Sequence, residues 1–168
     1  VPYGKIITTP TKEMPTLTFN TIGRHISRIA RTRVTSCATP WANDPSVIEP
    51  NYHFVPISHG EGRIIVDAKT AKELFKNGQV FTQYVDEDGN PAITEPDNPN
   101  GSNYAIEGLI SPDGHVLGKM GHNERTIEAA HNGKGQNCTS DFGSSELVKN
   151  IGGNTCQNIF AAGVRYFN

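Results

Sequence analysis

Residues Met120-Gly121-His122-Asn123-Glu124-Arg125 are the part of this chain best suited to chemistry. A short apolar segment, Val116-Leu117-Gly118-Lys119-Met120, reads as a strand and delivers a histidine and a glutamate, two positions apart, into the turn that follows. Side chains at i and i+2 of an extended segment point to the same side. A carboxylate there accepts a hydrogen bond from one imidazole nitrogen and fixes the tautomer. The other nitrogen is then left to take a proton from a nucleophile. His122 and Glu124 thus supply two members of a nucleophile–histidine–acid triad. They sit at a strand end, where α/β sheets bind their ligands. The bland alternative is a histidine and a glutamate that are merely neighbours on a surface loop.

The nucleophile is the missing member. A G-x-C-x-G or G-x-S-x-G elbow holds it on a strained strand-to-helix turn. None of the three cysteines has that setting. Cys37 lies in Thr35-Ser36-Cys37-Ala38-Thr39-Pro40, Cys138 in a polar stretch, and Cys156 after Gly152-Gly153 with no glycine behind it. Each reads as a small buried or loop residue. A base and its orienting acid without a nucleophile suggest truncation. Val1-Pro2-Tyr3-Gly4 reads as a helix end running into a loop.

The elements that must position these residues are strand-rich. Residues 1–16 read as loop, punctuated by Pro2, Gly4, Pro10 and Pro15. Leu17 to Thr35 is ambiguous. Ile26, Ile29, Ala30 and Val34 fit a helical face, whereas Ile26, Arg28, Ala30, Thr32 and Val34 alternate as a strand would. Arg24, His25, Arg28, Arg31 and Arg33 make a basic cluster there. It is either a phosphate-binding helical face or a strand whose alternate arginines meet solvent or another domain. Residues 36–53 read as loop. Tyr52–Ile57 and Ile64–Val66 read as strands around the polar turn Ser58–Arg63, either as a hairpin or as a sharp loop.

Residues 68–77 are helix formers stopped by Gly78. Val80–Val85, Ala105–Ile110 and Val116–Met120 read as strands, with a Pro/Asn-rich loop over 90–103 and a turn at Pro112-Asp113-Gly114. Helices are expected from 125–131 and within 145–150 and 155–167, with a polar, mobile insertion over 132–145.

Composition limits the function classes. The 168 residues suit a single domain, read as a partial one over 1–168, and 35% are hydrophobic, with 17 glycines and 11 prolines. That composition suits short strands and loops, not disorder. A net charge of −2 gives no drive toward nucleic acid or anionic membrane. No apolar run approaches membrane-spanning length and no signal peptide opens the chain. Three scattered cysteines with no C-x-x-C pair give neither a disulfide framework nor a zinc site, and fit a reducing compartment. The sequons at Asn100 and Asn137 read as chance matches. No Walker-type loop is present, and Gly60-Glu61-Gly62 is too short and too acidic to cradle phosphate.

Several blocks, in order, carry a family resemblance. Pro56-Ile57-Ser58-His59-Gly60-Glu61-Gly62-Arg63 resembles the PI-(S/A)-H-G-E-G block of the class I glutamine amidotransferase domain of phosphoribosylformylglycinamidine synthases. Asn98-Pro99-Asn100-Gly101-Ser102 is similar to the NPNGS loop of that family. Ile106–Gly114 followed by Val116–Arg125 resembles its I-x-G-I-x-(S/N)-x-(D/G)-G-x-V-L-G-x-M-P-H-P-E-R block. Phe19-Asn20 with Gly23-Arg24-His25 looks like the segment after its nucleophile helix. Gly121 and Asn123 stand where that pattern has prolines, and 147–168 match its closing segment only loosely.

The resemblance implies an α/β fold: the C-terminal part of a flavodoxin-like amidotransferase domain, with a strand-rich mixed sheet and a few helices. It implies His122 as general base and acid, Glu124 as its partner and L-glutamine as substrate. The released ammonia would pass to an upstream synthetase domain, or the rest of the same polypeptide, which uses ATP and magnesium to amidinate formylglycinamide ribonucleotide in the cytoplasm. No cofactor and no metal is expected in this chain, and the chain alone is expected to be inactive. His59, Glu61, Arg63, Asn98 and Asn100 are expected near the glutamine pocket or a domain interface. Alternatively, Gly60 and Gly62 shape a turn and these polar side chains satisfy backbone groups. Two other readings remain at this point: another class I amidotransferase, or a degenerate interaction module.

Overall fold

A computed structural model describes residues 14–49, 52–123 and 157–168. The chain opens with β1 (Thr16–Thr18) and then β2 (Ile26–Val34). The ambiguous run is therefore strand, not helix, and the helical phosphate-binding face falls away. Tertiary pairing decides this, because β2 is hydrogen-bonded on both sides, to β3 (His53–His59) and to β5 (Val80–Tyr84). Its arginines divide. Arg24 and Arg28 are exposed. Arg31 lies over the rings of Tyr52 and Phe54, 5.5 and 5.4 Å from their centroids. Arg33 donates to the Gly89 carbonyl and to Gln83 Oε1.

Between β2 and β3 the expected loop contains a 3-10 turn at Pro40–Ala42 and a short helix α1 (Pro45–Ile48). Thr39 and Asp44 accept hydrogen bonds from Trp41 N and Ser46 N, and a proline at the start of each turn needs no N–H partner. β3 does not form a hairpin with β4 (Arg63–Ile65). Instead β4 pairs with β1 in a separate two-stranded sheet, so the Ser58–Arg63 turn is the sharp-loop alternative, leading from one sheet to the other. Asn20 enforces this path: its N–H donates to the Gly60 carbonyl and its Oδ1 accepts from Gly62 N.

Helix α2 (Ala68–Lys76) begins where Asp67 accepts from Lys69 N and Thr70 N. It stops at Gly78, whose φ of +69° suits the left-handed residue of a helix end. Strands β5, β6 (Ile106–Ile110) and β7 (Leu117–Lys119) fall where the periodicity places them. Helix α3 (Ile159–Phe167) ends the chain, capped by Asn158, and Arg165 ion-pairs with Asp44 beside α1. The expected helices over 125–131 and 145–150 and the insertion over 132–145 lie outside the described residues.

The main sheet runs β3-β2-β5-β6-β7, and every pairing among the described strands is antiparallel. Its two edge strands come back together, because Gly121, just past β7, makes an antiparallel bridge to Ile57 of β3. The sheet therefore curls until its edges meet. Ala30, Ile57, Tyr84 and Ala105 are buried together in one cluster. Phe81, Ile110 and Val47 pack with Ile159 and Ala162 of α3, and Ile64, Val80 and Ile106 pack with Ala71 of α2. The architecture is α/β, strand-rich and with few helices, as the resemblance implies; the curl was not part of that expectation, and the described pairings are antiparallel where a mixed sheet was expected.

Candidate active site

His122 stands at the seam where the sheet closes. Beyond β7 the chain keeps pairing for one residue, Met120 N donating to the Glu107 carbonyl. Gly121 then crosses to β3, and His122 N donates to the Pro56 carbonyl at 2.8 Å. Pro56 is tolerated within β3 because this is an edge strand, where a missing N–H breaks no ladder. Gly121 is needed for close approach: a Cβ there would lie 2.6 Å from Val55 and 2.9 Å from Glu107 Oε1. His122 itself is half-buried. Glu124, its expected partner, lies outside the described residues, as do Cys138 and Cys156; Cys37 is exposed.

The glycine-rich turn brings His59 toward the same seam. Burial holds the His59 imidazole below its ordinary pKa, and the charges of His25 and His122 act in the same direction while Glu107 opposes them. His59 Nδ1 lies 3.1 Å from Asn20 Oδ1, and Asn20 Nδ2 donates to the His59 carbonyl. Glu61 is exposed at the turn's tip, and half-buried Arg63 donates from Nε to the Gly101 carbonyl.

Asn98 and Asn100 are fully buried. Asn98 Oδ1 accepts from Gly101 N and Ser102 N, and its Nδ2 donates to the Ser102 carbonyl. Asn100 Nδ2 donates to the Gly62 carbonyl at 2.7 Å and to Tyr84 Oη, while Oδ1 accepts from Ser102. Asn98 shapes its own loop, and Asn100 fastens that loop to the Ser58–Arg63 turn. Among the described residues both donate to backbone carbonyls. Gly101 completes this junction with a φ of +75°.

Sequence reasoning missed the polar groups behind the seam. Glu107 is completely buried on β6. It accepts from Thr82 Oγ1 and from Gly121 N, and Lys119 Nζ lies 3.8 Å away. Asn123 donates to the carbonyl and Oε1 of Gln157, both at 3.0 Å, and Lys119 Nζ donates to Asn123 Oδ1. The available signal was one acid inside the apolar run Ile106–Ile110. A 330 Å³ cleft flanks the seam, with Trp41, Leu117, Lys119, Gly121, Asn123 and Phe160 on its walls. Among the described residues no cluster of His, Cys, Asp or Glu could hold a metal ion.

Comparison with known proteins identifies the family. Residues 1–167 match the CobB/CobQ-like glutamine amidotransferase domain. The chain is 37% identical over 114 residues to phosphoribosylformylglycinamidine synthase subunit PurQ of Salinibacter ruber, covering 68% of this chain and 47% of that protein. It is 49% identical over 74 residues to the subunit of the same name from Methanococcus maripaludis, covering 44% of this chain and 27% of that protein. The chain therefore spans less than half the length of these relatives. A solved structure, that of PurLQS from Thermotoga maritima, shares the fold with a TM-score of 0.58 at 22% identity, covering 92% of this chain and 54% of that one. The chain belongs to the family of CobB/CobQ-like glutamine amidotransferase domains and resembles its PurQ members.

Proposed function

We propose that this chain supplies the proton-transfer half of a glutaminase, with His122 as general base and acid and Glu124 as its orienting partner. The observation that carries the reading is the placement of His122. A half-buried histidine has its backbone fixed by main-chain bonds at the seam of a curled sheet. Fixed backbone and partial burial are what a general base needs to meet its substrate at one distance.

The chemistry follows from those roles. A cysteine thiolate, supplied from outside this chain, attacks the carboxamide carbon of L-glutamine. The tetrahedral adduct collapses as His122 passes a proton to the departing ammonia, leaving a thioester. His122 then takes a proton from water, which attacks the thioester; glutamate leaves and the thiolate is restored. Oxyanion donors also come from outside the chain. The ammonia serves a synthetase partner that amidinates formylglycinamide ribonucleotide with ATP and magnesium. Both cofactors belong to that partner. Support for this partner and acceptor comes from the relatives' names and from the blocks at Pro56–Arg63 and Asn98–Ser102. A cytoplasmic setting is part of the proposal. Among the described residues no helix is long and apolar enough to cross a membrane.

The test is glutamine hydrolysis by the full-length protein with its synthetase partner. His122→Ala is expected to lower kcat by about 10²- to 10⁴-fold, the usual contribution of a positioned acid–base group. The 168-residue chain alone is expected to hydrolyse no glutamine. A wild-type assembly that releases no glutamate, or a His122→Ala protein of wild-type rate, would refute the proposal. Ammonia transfer to a different acceptor would move the chain to another amidotransferase pathway.

A further inference from the structure

We infer that Glu107 is a positioning residue for His122, acting through the N–H of Gly121. The inference rests on the proposed role of His122. Glu107 and Asp44 are the buried carboxyl groups among the described residues. Asp44 caps α1 and pairs with Arg165, which accounts for it. Glu107 caps nothing. It lies in the middle of β6, where an apolar side chain would pack without any hydrogen-bonding demand. Burying a carboxyl group is unfavourable unless its oxygens are partnered. One oxygen takes the Thr82 hydroxyl on the neighbouring strand; the other takes Gly121 N at 2.5 Å.

That second contact falls where the segment bearing His122 leaves β7. Glycine has the widest backbone freedom of any residue, so Gly121 alone would let the segment wander. Three fastenings remove that freedom: Gly121 N to Glu107, His122 N to the Pro56 carbonyl, and the Asn123 side chain to Gln157. The first is open only to a residue with an N–H, so proline at 121 could not use it. Glu107 and Gly121 are therefore a matched pair. The close approach of Gly121 to Val55 excludes a Cβ, and the Glu107 oxygen supplies the restraint that glycine lacks. Lys119, 3.8 Å from Glu107 and bonded to Asn123, links the first fastening to the third.

The experiment compares Glu107→Ala and Glu107→Gln in the full-length protein with its synthetase partner. Glutamine keeps an acceptor oxygen of the same reach, whereas alanine removes it. Glu107→Ala is expected to lower kcat for glutamine hydrolysis at least tenfold with KM within twofold of wild type, and Glu107→Gln to recover most of the loss. Amide hydrogen exchange gives a readout independent of activity. The peptide spanning 119–123 is expected to exchange at least tenfold faster in Glu107→Ala, with residues 80–84 of β5 still protected. Unchanged exchange at 119–123 overturns the inference, as does a Glu107→Gln protein as impaired as Glu107→Ala. A wild-type assembly without glutaminase activity counts against the proposed function instead, and the exchange result still decides the role of Glu107 at Gly121.

Discussion

Asn20 holds His59 at two points: its Nδ2 donates to the His59 carbonyl at 2.8 Å, and its Oδ1 lies 3.1 Å from His59 Nδ1. The same side chain takes Gly62 N and donates to the Arg24 carbonyl. One buried amide thereby ties the start of β2 to the turn that carries His59 and Glu61. Asn20→Ala leaves those groups without partners, and each unsatisfied buried group costs about 1–3 kcal/mol. A total loss of about 2–4 kcal/mol is expected in urea unfolding of the full-length protein, with glutaminase activity falling in parallel. A change below about 0.5 kcal/mol would show that the turn holds its shape without Asn20.

Glu61 and Asn100 belong to the same junction, Asn100 bonding the Gly62 carbonyl next to Glu61, but differ in burial, which separates their expected behaviour. Glu61 is exposed, so Glu61→Gln should leave stability within about 0.5 kcal/mol of wild type. If the turn faces the glutamine pocket, kcat/KM for glutamine falls severalfold. An unchanged kcat/KM together with unchanged affinity for the synthetase partner removes Glu61 from substrate and interface alike. Asn100→Ala, in contrast, strips the Gly62 carbonyl and Tyr84 Oη of a buried donor. It should destabilise the protein by about 2–3 kcal/mol, read as a lower urea midpoint at constant slope.

His53 makes stability depend on pH. It is fully buried, with Nε2 3.0 Å from the Val47 carbonyl. Burial, reinforced by the charge of Lys119, lowers its pKa from 6.5 to about 4, although the bond to Val47 opposes the shift. Below pH ~6.5 the unfolded chain binds a proton at His53 that the folded chain refuses until about pH 4. Protons therefore favour unfolding throughout that window. The contribution is fully present above pH ~6.5 and is lost progressively as pH falls toward 4, by about 3 kcal/mol. Urea midpoints taken between pH 7.5 and 4 should fall, and His53→Gln, which still donates to Val47, should flatten that slope. Equal slopes in the two proteins would place the pH sensitivity elsewhere.

Asp44 joins α1 to the C-terminal helix. Burial alone would raise its pKa, but hydrogen bonding from Ser46 and the charge of Arg165 outweigh it and hold the carboxyl below its ordinary value. Asp44→Ala removes a helix cap, worth about 1 kcal/mol, and frees Arg165. Amide exchange in 159–167 should rise more than exchange in β5. Equal protection of α3 in mutant and wild type would mean that Ile159 and Ala162 hold the helix by packing alone.

The sequence by itself determined several local elements and singled out His122 as the candidate base. Helix α2 was legible because residues 68–77 are helix formers that Gly78 stops. Strands β5, β6 and β7 were legible from their apolar runs, and His122 from the block Val116–Arg125. The family followed from the blocks at Pro56–Arg63, Asn98–Ser102 and Ile106–Arg125, since each is a run of specific residue types.

Tertiary structure alone decided how those pieces meet. The run at β2 satisfies helical and extended periodicities alike, and only hydrogen bonds to β3 and β5, donated from distant parts of the chain, select the strand. The Ser58–Arg63 turn looked compatible with a hairpin because turn residues report a change of direction, not the partner of the next strand. Asn98 and Asn100 looked like exposed loop polars; the fold buries both, Asn98 bonded within its own loop and Asn100 to the Gly62 carbonyl, 38 residues away. Glu107 was invisible as part of the site because its contact with Gly121 spans 14 residues and exists only once the sheet curls and its edges meet. Periodicity and capping act over a few residues, so sequence reports them directly. Closure of a sheet depends on the summed twist and pairing of all its strands, and no local pattern encodes it.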